Sequence, residues 1–339
     1  MPKRVTIAEV AELAGVHKAT VSRALNETTE HQVNAATVKK VQRAAKQLGY
    51  IPNIMARGLR TSLSMTVGVI VPDLTNPLFP PIQRGIENYL APRGYTALLA
   101  NTDGRDSLER AAFNSLLERR VDGFILATGQ VDHPLLKDAY ERDIRIVLVN
   151  RGTTGVPYPL VTGDDANGIA AAVDHLIELG HRRILHVAGP RNFTTTLTRA
   201  NAFTAACAEH GIEPRTVVAS ALNVDAGRHE MDAILASGEP VPTAIIASND
   251  LLALGIMRSL RTHGLDCPAD ISIVGFNDMP FAQDFQPPLT TVRVPHLELG
   301  SEAARLLLAS ISAESQNPVT VTLPVSLIVR ESTAPPRNP

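Results

Sequence analysis

The spacing of apolar residues changes once along this chain. Up to about residue 50 they recur every three or four positions, as on one face of a helix. From Thr66 onward, short apolar runs alternate with amphipathic stretches of 8 to 16 residues. The first pattern predicts a small all-α module, and the second predicts parallel sheets with helices on both faces.

Gly15 divides the first helical stretch into two short helices. Thr6 and Glu9 stand at the spacing of a reciprocal N-terminal cap, so the first helix begins just after Thr6. Gly15 suits the left-handed turn that ends it, and the second helix is predicted from His17 to Leu25. Two short helices joined by a tight turn form a helix-turn-helix.

A third helix is predicted from Asn34 to Leu48, after a polar loop over Glu27 to Gln32. Gly49 ends it, and Pro52 disfavours a helical residue before it. Asn53 to Leu59 then forms either one or two further helical turns or a flexible linker, since so short a helix is marginal alone.

The second pattern contains many predicted strands and helices. The strands are TVGVIVPD, TALLANT, GFILAT, RIVLVN, RILHVAG, VVAS, AIIASND, ISIVGFND and, near the end, Val319 to Val329. The helices are Leu78 to Arg93, Asp106 to Arg119, Leu135 to Arg142, Ala166 to Leu179, Arg199 to Glu209, Gly227 to Ala236, Leu251 to His263 and His296 to Ser312.

Ligands of parallel sheets bind at the carboxyl ends of the strands. That rule alone selects five polar segments as candidate binding residues. They are Asp73 to Phe79, Asn150 and Arg151, Pro190 to Arg199, Asn249 and Asp250, and Asn277 and Asp278.

The net charge of −2 conceals an uneven distribution. Residues 1–60 contain ten Lys or Arg against four Glu, whereas the rest of the chain contains 22 basic and 30 acidic residues. A basic head on an acidic body indicates a nucleic-acid-binding module attached to a domain that need not touch nucleic acid.

The other sequence signals argue against several protein classes. Cys207 and Cys267 lack metal-ligand spacing, so neither a disulfide nor a metal site is expected. The chain has no apolar run of membrane-spanning length and no signal peptide, which predicts a cytoplasmic protein. Phosphate-binding glycine loops and the G-x-S-x-G motif are also missing, so no cofactor and no catalytic residue is expected.

The segment TIAEVAELAGVHKATVSRALN resembles the start of lactose-repressor (LacI/GalR) family transcription regulators. The resemblance continues through LGYIPN, ARGLR, VGVIVPDLTNPLF, RRVDGFI, HLIELGHRRI, SNDLLALG, DISIVGFND and PPLTTV, in the family's order over nearly the whole chain. It implies a helix-turn-helix head, a hinge helix and a core of two doubly wound parallel-sheet lobes, like a periplasmic binding protein.

The resemblance also implies domain boundaries. The head is expected over 1–50, the hinge over 51–62, the effector-binding and dimerisation core over 63–330, and a short tail over 331–339. Within the core, the N-lobe is expected at about 63–162 and 293–320, and the C-lobe at about 163–292 and 321–330. The tail carries no heptads, so the expected assembly is a homodimer.

Lys18, Ala19 and Arg23 fall where the family reads bases. Arg23 can donate two hydrogen bonds to a guanine and Ala19 can contact a thymine methyl, although Arg23 could instead pair with Glu27. The remaining residues expected at DNA, at phosphates or in the minor groove, are Thr6, His17, Thr20, Ser22, Asn26, Asn53, Ala56 and Leu59. His31 and Asn34 are further candidates for phosphate contacts.

The resemblance implies an effector site between the lobes. Its expected residues are Asn76, Phe79, Asn150, Arg151, Arg199, Asn249 and Asn277. Phe79 could instead be core, and Arg199 could instead form an ion pair between the lobes. Where many relatives carry a carboxylate, this chain has Asn150 and Asn277; with Arg151 and Arg199 nearby, this favours a sugar acid over a neutral sugar.

Together these features predict a transcriptional regulator, more specifically a repressor that binds a palindromic DNA operator and is switched by a small effector. One alternative is a small-molecule-binding protein or enzyme of the same fold, which would not need the basic head. Another is an architectural DNA-binding protein, which would leave the long acidic body unexplained.

Overall fold

The computed structural model describes residues 5–26, 29–50, 63–313 and 317–337. The chain divides into two compact units after Ser64, and each is described by itself. The predicted hinge helix, with Asn53, Ala56 and Leu59, lies outside the described residues.

The described residues of the first unit form three helices, as the periodicity predicts. They are α1 (Ile7–Ala14), α2 (Lys18–Ala24) and α3 (Ala35–Leu48), with a short 3-10 turn at Glu30–Gln32 inside the predicted polar loop. The core between them consists of small aliphatic side chains, which let the short helices approach closely: Val10, Ala11, Ala14, Val21, Ala24, Val41, Ala44 and Ala45.

The second unit is a two-lobed α/β structure, which confirms the predicted fold class. Its strands are β1 (Thr66–Val71), β2 (Thr96–Asn101), β3 (Gly123–Leu126), β4 (Ile146–Val149), β5 (Leu160–Gly163), β6 (Ile184–Ala188), β7 (Arg215–Val218), β8 (Ala244–Ala247), β9 (Ser272–Asn277), β10 (Thr290–Arg293), β11 (Thr320–Leu323) and β12 (Ser326–Ile328). Its helices are α4 (Phe79–Leu90), α5 (Asp106–Glu118), α6 (Pro134–Glu141), α7 (Asp165–Glu178), α8 (Thr194–Glu209), α9 (Val224–Ala236), α10 (Asp250–Thr262) and α11 (His296–Ile311).

The strands form two six-stranded sheets. The order in the first lobe is β11-β5-β4-β3-β1-β2, and every pairing in it is parallel. The order in the second lobe is β12-β10-β9-β8-β6-β7, in which only β12 runs antiparallel to its neighbour. Central strands such as β3, β4 and β8 are buried along their whole length, because helices cover both faces.

The chain passes between the lobes three times, after β5, after β10 and after β11. The third passage corrects two predictions. Val319 to Val329 was expected as one strand because its valines and leucines alternate without a break, but the segment forms β11 in the first sheet and β12 in the second. The crossing is at Pro324 and Val325, where the proline cannot donate to a strand ladder, rather than between residues 320 and 321.

Two helices begin earlier than predicted. Helix α8 begins at Thr194 rather than Arg199. The sequence does not predict this start, because three threonines with weak intrinsic helix propensity form the first turn. Helix α9 begins at Val224 rather than Gly227, where the Asn223 side chain accepts from the Ala226 N–H at 2.9 Å. Strands β5 and β10 have four residues each and were not among the predicted strands.

The segment after β12 is fixed to the second lobe. The Ile273 N–H donates to the Ser332 carbonyl at 2.7 Å, and the Ser332 hydroxyl donates to the Ile273 carbonyl at 2.6 Å. The His181 ring lies 2.9 Å from the Ala334 carbonyl. Among the described residues, none of the helices is both long and apolar enough to cross a membrane.

Candidate functional site

The turn between α1 and α2 has the geometry that its sequence predicts. The Thr6 hydroxyl oxygen accepts from the Glu9 N–H at 3.4 Å, and the Glu9 carboxylate accepts from the Thr6 N–H at 2.7 Å. Gly15 adopts φ 59° and ψ 40°, the left-handed conformation that glycine tolerates best. The predicted capping box and glycine turn are therefore confirmed, and the Thr6 side chain is used within the head itself.

His17 caps the N-terminus of α2, and its Nδ1 accepts from the Ala19 N–H at 3.2 Å. Because Nδ1 accepts, the ring proton of the neutral histidine lies on Nε2. The cap matters because a helix of seven residues is marginal without one.

One face of helix α2 is exposed and basic. Lys18, Ala19 and Arg23 are exposed, and Ala19 and Arg23 lie one helical turn apart on the same side. Val21 and Ala24 are buried against the other helices, so the face cannot rotate inward. Thr20, Ser22 and Asn26 are half-buried beside it.

A second set of polar groups lies just before the start of α3 in the sequence. The Thr29 hydroxyl donates to the Arg23 carbonyl at 3.1 Å, which links the loop to α2. Asn34 caps α3 by accepting from the Ala36 N–H at 2.9 Å, and His31 is exposed. Glu27, the alternative partner for Arg23, lies outside the described residues.

In the second unit, the two lobes touch through loops at the carboxyl ends of β3, β4 and β6. The Val131 N–H donates to the Asn192 carbonyl at 2.8 Å. The Gly152 N–H donates to the Thr194 hydroxyl at 2.9 Å. These contacts lie beside the strand ends that the sequence selects as a binding region.

Arg199 forms a buried ion pair within the second lobe. Its Nε and Nη2 donate to the two Asp165 carboxylate oxygens at 3.0 and 3.2 Å, and its Nη1 donates to the Ser248 carbonyl. The guanidinium carbon lies 3.7 Å from the ring centroid of Phe276. Burial raises the pKa of Asp165, while the charge and hydrogen bonds of Arg199 oppose that rise. The alternative of an ion pair between the lobes is therefore wrong, because both partners belong to one lobe.

Arg151 is also buried, but among the described residues it has no acidic partner. It is 8% exposed, its Nε has no hydrogen-bond partner, and its guanidinium carbon lies 3.9 Å from the ring centroid of Phe193 in the other lobe. Burial, with a smaller effect of Arg199, lowers the pKa of Arg151 to about 10.

The two asparagines that replace carboxylates both have positive φ, 66° at Asn150 and 114° at Asn277. Such conformations are uncommon outside glycine and cluster at functional sites. Oδ1 of Asn277 is buried without a hydrogen bond. Nε2 of His296, at the start of α11, is likewise buried and unpartnered. Ligand hydroxyl groups would satisfy both atoms.

Three other predicted effector residues have structural contacts. Asn249 caps α10 by accepting from the Leu252 N–H at 2.8 Å, and its Nδ2 donates to the Leu222 carbonyl at 3.1 Å. The Asn76 side chain accepts from the Leu78 N–H at 3.1 Å. Phe79 is 1% exposed and belongs to the hydrophobic core, which is the alternative its sequence position left open.

Sequence reasoning missed Asp165, Phe193 and His296. Asp165 follows β5, which the sequence does not predict as a strand, and nothing local shows that it meets Arg199. Phe193 lies inside the selected segment Pro190 to Arg199 and could have been singled out as its aromatic residue. His296 was treated only as the start of a helix. In the described part of the chain, no group of three or more His, Cys, Asp or Glu is placed to hold a metal ion.

Two family models match the chain. The model described as "Bacterial regulatory proteins, lacI family" matches residues 6–53, and the model described as "Periplasmic binding protein-like domain" matches residues 173–333. The transcriptional regulator DegA of Bacillus subtilis is 32% identical over 337 residues, covering 98% of this chain and 99% of that protein.

Solved structures with the same fold include two regulators with ligands. The lac repressor dimer bound to operator and an anti-inducer aligns with a TM-score of 0.87 and 28% identity, over 98% of this chain and all of that chain. A complex of the transcriptional regulator CelR with cellobiose aligns with a TM-score of 0.73 and 32% identity, over 97% of this chain and all of that chain. The relatives are transcriptional regulators rather than enzymes, and the chain belongs to the lacI family of DNA-binding bacterial regulatory proteins, with a periplasmic-binding-protein-like ligand domain.

Proposed function

We propose that the protein is an effector-responsive transcriptional repressor that binds a palindromic operator as a homodimer. The observation that carries this proposal is the combination, in one chain, of an exposed base-reading face on α2 and a cleft lined by unpartnered polar atoms. In this proposal the protein catalyses no reaction. It acts in the cytoplasm, the bacterial compartment that holds the DNA.

The head supplies both affinity and sequence preference. Arg23 donates a pair of hydrogen bonds to a guanine, Lys18 reaches a base edge, and Ala19 contacts a thymine methyl. The polar groups of Thr20, Ser22 and Asn26 hold phosphates, which position the helix without reading sequence, and the caps Thr6 and His17 hold α1 and α2 in place for these contacts. In a dimer, two such helices enter major grooves one helical turn apart, which requires a two-fold symmetric operator.

The hinge and the cleft connect effector to operator. Asn53, Ala56 and Leu59 are proposed to form a short helix on DNA, where two Leu59 side chains enter the minor groove at the operator centre. Asn76, Phe79, Asn150, Arg151, Arg199, Asn249 and Asn277 line or support the effector site. An effector changes operator affinity only as far as it binds the two lobe arrangements unequally.

The effector is a small carbohydrate-like molecule or sugar acid. The solved structure of CelR, a relative of the same fold, is a complex with cellobiose. In this chain the cleft offers hydroxyl-binding amides and cations in place of carboxylates, which extends the range to acids.

The test begins with selection of double-stranded DNA from a random library, because the operator sequence is not known in advance. Fluorescence anisotropy of the selected DNA should show binding that weakens as salt rises, with a slope proportional to the number of phosphates contacted. Deleting residues 1–62 should abolish binding, and Arg23→Ala should relax preference at one base pair of each half-site. Arg110→Ala, on an exposed face of α5, is the matched control.

Two outcomes separate the alternatives. A selected site without two-fold symmetry or sequence preference would favour an architectural protein. A chain that binds sugars or sugar acids but no DNA at low salt would favour a simple binding protein.

A further inference from the structure

The cleft contains one positive charge that the protein does not neutralise. Within the described residues, Arg151 makes no ion pair and its Nε makes no hydrogen bond, although the side chain is more than nine-tenths buried. With a pKa of about 10 it still carries its proton at neutral pH. An unpaired buried cation is costly, so its retention indicates a partner that the protein itself does not provide.

The neighbouring ionisable groups do not neutralise the charge of Arg151. Arg199 is matched by Asp165 in a two-point ion pair. Burial lowers the pKa of His186 to about 3 and that of His296 to about 4, so both imidazoles are neutral near pH 7. Arg199 lowers both pKa values further, and because it also lowers that of Arg151, these groups share one electrostatic neighbourhood.

A further carboxylate of this neighbourhood, which acts on His296, is already bound. Asp278 accepts from Arg293 at 2.6 Å and from Arg330 at 2.7 Å, so it has no charge to offer Arg151. Its neighbour Asn277 offers a neutral acceptor, Oδ1, that lacks a donor. Beside this acceptor, the cleft therefore offers a buried guanidinium that makes no ion pair within the described residues.

We propose that the effector is a polyhydroxylated monocarboxylate, whose carboxylate binds Arg151 and whose hydroxyl group donates to Oδ1 of Asn277. This inference rests on the proposed function, because it names the ligand class of the same cleft. A neutral sugar leaves the charge of Arg151 unmatched. A phosphate ester brings a charge of about −1.5 to −2, whereas Arg151 offers a single positive charge without an acidic partner among the described residues.

The experiment compares matched sets of three compounds on one carbon skeleton: a neutral aldose, its aldonic or uronic acid, and its phosphate ester. Binding to the full-length protein is measured by calorimetry, and operator release by anisotropy. One acid should bind at least tenfold more tightly than its neutral parent and its phosphate, since a hydrogen-bonded charge pair contributes about 10- to 150-fold in affinity.

Variants of Arg151 test the assignment directly. In Arg151→Met the affinity for the acid should fall to that of the neutral parent, whereas Arg151→Lys, which keeps the charge, should retain a preference for the acid. Arg110→Met is the exposed control. Without ligand, Arg151→Met should also raise the midpoint of thermal unfolding, because it removes an unpaired buried charge, whereas a purely structural role for the stack on Phe193 predicts a fall.

Each result decides between the possibilities. Tighter binding of a neutral sugar or a phosphate ester would overturn the carboxylate assignment and leave the regulator intact. If no compound in the panel binds, the unliganded midpoint decides, and an unchanged or lower value for Arg151→Met overturns the assignment. Failure to bind any DNA sequence would contradict the proposed function instead, whatever the ligand results.

Discussion

At the scale of single residues, the two cleft arginines show how partners decide the meaning of a charge. Arg199 has a bidentate carboxylate partner, a carbonyl acceptor and the face of Phe276. Within the part of the chain that the structure describes, Arg151 stacks on the ring of Phe193 and makes no ion pair. Both were expected to face a ligand, but Arg199 is largely satisfied by the protein and Arg151 is not.

Asp165→Asn should therefore destabilise the protein strongly. The change leaves Arg199 as a second unpaired buried cation, and breaking such a pair typically costs about 3–5 kcal/mol in the free energy of unfolding. Urea unfolding followed by circular dichroism measures the loss. Asp174→Asn, at an exposed aspartate of the same helix, should cost less than about 1 kcal/mol. A small effect of Asp165→Asn would show that solvent or another group compensates Arg199.

Asp250 should make stability depend on pH in an unusual direction. Burial raises the pKa of its carboxyl from 3.8 to about 7, against the hydrogen bonds from Thr291 and the Met279 N–H. Because the folded pKa lies above the unfolded value, the native state holds its proton to higher pH. This contribution to stability is complete below about pH 4 and is lost as the pH rises to about 7.

Comparison of the wild type with Asp250→Asn isolates that contribution. The stability of the wild type relative to the variant should decrease between about pH 4.5 and 7, by at most about 1.4 kcal/mol per pH unit, and then level off. Urea unfolding at a series of pH values measures it, with Asp138→Asn on the exposed face of α6 as control. A constant difference across this range would mean that Asp250 is already ionised at pH 4.5.

Sequence reasoning located polar residues at strand ends, but it could not assign their partners. The rule for parallel sheets selected Asn150, Arg151 and Asn277, which lie at or just after the carboxyl ends of β4 and β9. It also selected Asn249, whose amide is used as a helix cap. Asp165 and Arg199 lie 34 residues apart in the sequence, on two different helices. No local sequence pattern predicts a contact between residues that are so far apart.

At the scale of elements, the recognition helix depends on its cap. Helix α2 has seven residues, and the His17 ring accepts from the Ala19 N–H in its first turn. Serine is a good N-cap and alanine a poor one, with a difference of about 1 kcal/mol. His17→Ala should thus weaken operator binding about three- to tenfold, and His17→Ser should restore most of it.

Anisotropy with the selected operator measures the DNA affinity of these variants. Amide hydrogen exchange measures how well their heads are protected. Slower exchange and tighter binding should return in His17→Ser. If serine and alanine weaken binding equally while exchange differs, His17 acts through its own contact with DNA and not through the cap.

Elements were predictable where one physical signal dominated. The glycine turn, the capping box and the buried strands each follow from local chemistry. The division of Val319 to Val329 into β11 and β12 does not, because the alternation of side chains continues through Pro324 while the backbone changes sheets. The early start of α8 at Thr194 was hidden by weak helix formers, which tertiary contacts override.

At the scale of the molecule, few hydrogen bonds hold the cleft loops of the two lobes together. One of them joins the Gly152 N–H of the first lobe to the Thr194 hydroxyl of the second at 2.9 Å. Thr194→Val preserves the shape of the side chain but removes the acceptor. The resulting unpaired N–H costs about 1–3 kcal/mol when the lobes are in contact.

If the effector binds this arrangement of the lobes, Thr194→Val should weaken effector binding about 5- to 100-fold. Calorimetry with the compound of the panel that binds the wild-type protein most tightly measures the change. Thr204→Val, on the exposed side of the same helix, is the control. Unchanged affinity would mean that the effector does not depend on this contact.

The three passages between the lobes also impose an order in time during synthesis. The head is made of neighbouring segments and is complete by Tyr50, whereas the first lobe lacks its edge strand until Thr320 to Leu323 has been made. About 270 residues lie between these points. At about 5–20 residues per second, ribosomes take roughly a quarter of a minute to a minute to cover them. Each new molecule thus carries a finished operator-reading module well before it can respond to its signal.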